Sequence, residues 1–162
     1  MVDRDIPALM PSVLDRLLDD EPLDSAEPLW FQSMGVSQLL ASVRRDLEGL
    51  LNSRRSLNLD AKKFPEASRS VLTFGMPDFV GISGNALADA QAVRLAVEQA
   101  IGMFEPRLKD VRVSLREQPT TVDRKLQLTI EAILHVDPIK EPITFDTVVM
   151  TATGDCKVVP RD

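Results

Sequence analysis

The 162-residue chain has no tyrosine, one tryptophan (Trp30), one cysteine (Cys156) and one histidine (His135). Each scarcity removes a class of function. A lone cysteine forms no intrachain disulfide, which fits a reducing compartment. One histidine and one cysteine fall short of the ligand sets that hold zinc, so neither a metal nor a cofactor is expected. A Ser-His-Asp or Cys-His arrangement would have to use His135, which falls on the polar side of an alternating strand pattern. No basic excess exists either: 19 Lys and Arg stand against 25 Asp and Glu, for a net charge of −6. Without a basic stripe or stacking aromatics, no nucleic acid is expected as a partner. No uncharged apolar run approaches bilayer-spanning length. The start, "MVDRDIPALMPSVLDRLL", is acidic and amphipathic where a secretory signal is basic and then apolar. The expectation is a cytoplasmic protein with no direct membrane insertion. "GISGNA" lacks the lysine and spacing of a phosphate-binding loop.

What is present suffices for one domain with a real core. Residues 1–28 read as a short helix within 7–20 (Leu9, Val13, Leu14, Leu17 and Leu18, with Pro11 in its first turn) and the acidic, proline-bearing linker "DDEPLDSAEP". Residues 29–162 read as a single α+β domain. A helix runs from an N-cap at Ser37 to a stop at Asn52, with Leu39, Leu40, Val43, Leu47, Leu50 and Leu51 as its apolar stripe. A short turn follows Pro65, and a loop carrying Phe74, Met76 and Phe79 packs on the core. The next helix, 86–104, buries Val93, Val97, Ala100, Ile101 and Phe104, while Gln91, Arg94, Glu98 and Glu105 share its polar face. Beyond Arg107 the period becomes two, in "VRVSLRE", "KLQLTIEAILHV", "PITFDTVVMTA" and "CKVVP", with a turn at Thr153-Gly154-Asp155. In the second of these, Gln127, Thr129, Glu131 and His135 fall on the polar side. N-terminal helices followed by a small, mainly antiparallel sheet packed on the 86–104 helix make an α+β fold.

One stretch resists this patterning. In "AIGMFEPRLKDVRVSL" an acid stands at the negative end of a helix, where a carboxylate is disfavoured. Pro106 drives Glu105 out of the α region and donates no hydrogen bond, so the helix stops near Phe104. Two readings fit Glu105, Pro106 and Arg107. One is an ordinary helix stop with a surface ion pair worth about 0–1 kcal/mol. The other is a rigid charged knuckle that docks a partner. The alternative with enzymatic potential is a muramidase using a carboxylate pair, Glu98 and Glu105. Nothing in the sequence supplies a sugar cleft for it.

The stretches "SVLDRLLDD", "SVRRDLEGLLNSRR", "SVLTFGMPDF", "AVRLAVEQAIGMFEPRLKDVRVSL" and "PITFDTVVMTATGDCKVV" appear in an order that resembles the TssE family. These are small baseplate subunits of bacterial type VI secretion systems, related to a contractile-phage baseplate wedge protein long labelled lysozyme-like. The resemblance implies a structural protein without muramidase activity, assembled on the baseplate at the inner face of the inner membrane. It implies wedge partners TssF, TssG and TssK and sheath partners TssB and TssC. It also implies that Glu105, Pro106 and Arg107 are partner-binding, and that the C-terminal sheet receives a strand from a neighbour, helping to start sheath assembly.

Overall fold

The computed structural model describes residues 9–18, 35–55, 62–79, 87–116, 125–150 and 153–161. The linker read at 19–28, Trp30 and "GISGNA" lie outside them. The chain divides into two units, Met1–Val43 and Arg44–Asp162.

In the first unit, helix α1 covers only Val13–Leu17. Pro11 lies before the helix, and Ser12 caps it by accepting a hydrogen bond from the Asp15 amide while Asp15 accepts from the Ser12 amide. This reciprocal pair satisfies two otherwise orphaned donors. Helix α2, Val36–Asn52, begins in this unit. It starts one residue before Ser37, which is therefore inside the helix and not its cap. Gly35 takes that place: its carbonyl accepts from the Leu39 amide, and its own N–H donates to Gln38 Oε1 at 2.9 Å. The α2 stripe is buried at Leu39, Val43, Leu47, Leu50 and Leu51.

The second unit is built on a four-stranded antiparallel sheet in the order β1-β2-β3-β4. Its strands are β1 (Leu108–Leu115), β2 (Lys125–Val136), β3 (Ile139–Met150) and β4 (Cys156–Pro160). Helix α3, Leu87–Phe104, packs against it beside β1. Strict alternation puts Leu126, Leu128, Ile130, Ala132 and Leu134 of β2 in the core with Val113, Phe145, Val149 and Val158. The α3 side of that core is Ala90, Val93, Val97, Ala100 and Ile101. Thr129 departs from its expected exposure. It is buried because its hydroxyl donates to Asp146 Oδ1 at 3.0 Å on the neighbouring strand.

Two 3-10 turns, Ala67–Arg69 and Val71–Thr73, follow Pro65. The loop after them behaves as expected at Met76 and Phe79, both buried. Phe74 remains partly exposed, its ring edge-on to Phe104 at 5.2 Å. Strand β3 starts at Ile139, earlier than the expected Pro142, so a proline sits within a strand. That is tolerated because β3 outruns β4 there, leaving position 142 on the open margin where no ladder donor is needed.

Candidate functional site

Helix α3 ends at Phe104, as the proline predicts, and the chain turns through Glu105 and Pro106 into β1. The Glu105 amide still donates to Ile101, and its carbonyl accepts from Leu108, so the corner is hydrogen-bonded on both sides. The Glu105 side chain is not at the surface: the residue is 5% exposed. Arg107 grips it with two parallel bonds, Nε to Oε1 at 2.7 Å and Nη2 to Oε2 at 2.6 Å. Such a fork is the strongest geometry open to an arginine and a carboxylate. The same Nη2 reaches Asp46 Oδ2 on α2 at 2.6 Å, and Asp46 in turn accepts from Arg45. The Arg107 carbonyl accepts from the His135 amide of β2. Hydrogen bonding to Glu105 raises the guanidinium above its ordinary range, against the lowering by burial. An acid at the negative end of a helix is thus offset by its own cation two residues on. The corner ties α2, α3, β1 and β2 together.

Asp46 was not singled out in the sequence. It lies 61 residues from Arg107, and nothing local marks it as a partner. A second junction was also hidden, though both of its halves are quoted motifs. Asn52 closes α2 and pairs with the backbone of Cys156: its Nδ2 donates to the carbonyl at 2.9 Å and its Oδ1 accepts from the amide at 2.8 Å. The Ser53 carbonyl accepts from Met76, and Met76 accepts from Arg55. Gly75 permits this approach, with φ +100° and the Ser53 carbonyl 2.5 Å from where a Cβ would stand. Arg54 donates to the Gly154 carbonyl at 2.7 Å, its guanidinium occupying the space of a side chain at Gly154, where φ is +78°. "LLNSRR" therefore meets both "FGMP" and "TGDC".

The two margins of the sheet are treated differently. On β1 the outward amide and carbonyl of Val113 are taken by α3: Glu98 Oε2 accepts at 3.0 Å and Arg94 Nη1 donates at 3.1 Å. A bulge at Asp110, with φ 51° between Lys109 and Arg112, distorts the same edge. On β4 the ladder pairs Met150 with Asp155 and Thr144 with Arg161, so Cys156, Val158 and Pro160 point outward. Asn52 occupies Cys156, and Pro160 has no amide to offer. The Val158 backbone groups are also directed away from β3, but the residue is fully buried and offers no open edge.

The candidate carboxylate pair is thus split between two structural jobs. Glu98 holds Arg94 and the Val113 amide, and Glu105 holds Arg107. A group that catalyses by proton transfer must face its substrate; these face the chain's own cations and amides. Cys156 is buried, and that burial pushes its thiol up to about 11, away from the thiolate a nucleophile needs. His135 is exposed, as expected for its strand face. Among the described residues no group of three or more His, Cys, Asp or Glu is arranged to hold a metal, and no helix is long and apolar enough to cross a membrane.

No curated protein matches the chain. The profile of the baseplate wedge protein gp25 family matches residues 37–139. That span takes in α2 almost whole, both 3-10 turns, α3, the Glu105–Arg107 corner, β1 and β2, which is well over half of the chain. The chain belongs to the family of the baseplate wedge protein gp25, and its role is that of a structural part of a phage-like baseplate.

Proposed function

We propose that this chain is a structural baseplate subunit of a bacterial type VI secretion system, working by contact and without bond-breaking of its own. It joins the wedge proteins TssF, TssG and TssK to the first ring of the TssB–TssC sheath, at the cytoplasmic face of the inner membrane. The observation that carries this reading is the corner at Glu105, Pro106 and Arg107. A buried ion pair seldom stabilises more than an apolar replacement would. What the fork secures is a fixed angle between α3 and β1, with Pro106 exposed at the tip. In this reading Glu105 anchors the corner from inside, and Arg107 couples it to Asp46. Pro106, with the surface around it, meets the wedge partner.

In this reading a sheath strand adds to one margin of the sheet and must first clear what covers that margin. At Val113 it displaces Glu98 and Arg94, and Val158 on β4 is fully buried, so its outward amide and carbonyl are covered as well. Coexpression with TssF and TssG, followed by purification through a tag on this chain, tests the reading. Both wedge proteins are expected to co-purify in fixed proportion. Their absence, or turnover of peptidoglycan by the purified chain that is lost in Glu98→Gln, would reject it in favour of the muramidase.

A further inference from the structure

The first helix is inside out. In an amphipathic surface helix the apolar stripe faces the protein and the polar side faces water. In α1 the inward group is Asp15, whose two carboxylate oxygens accept from the hydroxyl of Ser42 on α2 at 3.1 and 2.9 Å. Ser42 is itself buried, as is Leu9 just before the helix. Val13, Leu14 and Leu17 of α1, with Met10 and Leu18 flanking it, are each between 49% and 76% exposed. An acid is therefore used as the anchor while five large apolar side chains stay in water. Burying Leu14 or Leu17 in its place would remove apolar area from water, which is the favourable direction.

The charge of the chain says what can cover this stripe. Eight of the 25 acids but only two of the 19 basic residues lie in the first 28 positions, leaving 17 of each beyond them. The whole net charge of −6 thus belongs to the segment that carries α1. Asp19, Asp20 and Glu21 follow directly on Leu18. A second copy would bring two such acidic segments together, and an anionic membrane would repel them. A surface that is apolar at its centre and basic at its rim complements both features.

We propose that α1 is a docking helix whose apolar stripe seats in a groove, rimmed with lysine or arginine, on a neighbouring wedge subunit. This rests on the baseplate reading above and adds a second contact, distinct from the Glu105–Arg107 corner. The test is a titration of the full chain into purified TssF–TssG complex at low and high salt. Three chains are compared: wild type, Leu14→Glu/Leu17→Glu, and Asp19→Lys/Asp20→Lys/Glu21→Lys. The first variant is expected to lose at least ~10-fold in affinity with an unchanged thermal melt, because both leucines are already exposed. Charge reversal is expected to weaken binding and to flatten its salt dependence. Wild-type affinity in both variants overturns the docking helix and leaves the baseplate reading standing. No binding by the wild-type chain overturns both. Concentration-dependent self-association of the wild type that Leu14→Glu/Leu17→Glu abolishes would assign the stripe to a second copy and reject the proposal.

Discussion

The corner at residues 105–107 and the helix at 13–17 invert the same rule in opposite ways. At the corner, charged side chains turn inward and find every partner within the chain. At α1, apolar side chains turn outward and remain between 49% and 76% exposed. The comparison separates two meanings of a motif. Glu-Pro-Arg reads as a charged surface signal, yet its acid is spent inside, where it shapes the backbone. "SVLDRLL" reads as an ordinary amphipathic start, yet its leucines are the part left exposed.

Substitutions that break this contrast should differ greatly in cost. The largest effect is expected for Arg107→Ala, which strands the buried Glu105 carboxylate at the negative end of α3. A loss of about 3 kcal/mol is expected in denaturant unfolding, a large share of a typical domain's stability. An ordinary surface ion pair at this corner would lose only about 0–1 kcal/mol. Next comes alkaline pH. The Cys156 thiol is held neutral in the folded chain up to about 11, against 9.0 for an unburied thiol. Its contribution is complete below pH 9 and is lost as pH rises toward 11, by roughly 2–3 kcal/mol. Thermal melts across that window should fall less steeply for Cys156→Ala. Tyrosine, the other common phenol or thiol titrating there, is absent from the chain.

Asn52→Ala should cost about 1–3 kcal/mol, since it leaves the Cys156 amide and carbonyl without the side chain that pairs them. Hydrogen exchange at Cys156 should speed up in that variant. The smallest stability effect belongs to the other side of the comparison. Leu14→Glu/Leu17→Glu should stay within about 0.5 kcal/mol of wild type. A loss as large as that of Arg107→Ala would show that the stripe packs within the chain.

The elements were legible wherever one face of a regular period is buried. β2 runs from Lys125 to Val136 and β4 from Cys156 to Pro160, where their alternation begins and ends. α3 stops at Phe104, where Pro106 requires. What escaped was non-local or irregular. The Asn52–Cys156 junction joins residues 104 positions apart, and either half alone is an ordinary cap or strand. The bulge at Asp110 rests on one left-handed residue that breaks no hydrophobic pattern. The pattern starts this strand at Pro142, and the short β4 lets β3 begin earlier, at Ile139, with the proline on an open margin. Both readings of Glu105, the surface ion pair and the docking knuckle, put its carboxylate at the surface, where carboxylates usually lie. Only the register that brings Arg107 and Asp46 together makes burial tolerable.

The central claim is that the corner is built by the fold before any partner arrives. A double-mutant cycle on the isolated chain tests it most directly, with Glu105→Gln, Arg107→Met and both together measured by denaturant unfolding. A coupling of at least about 2 kcal/mol between the two positions is predicted. A coupling below about 0.5 kcal/mol, the range of a solvated surface pair, would contradict it.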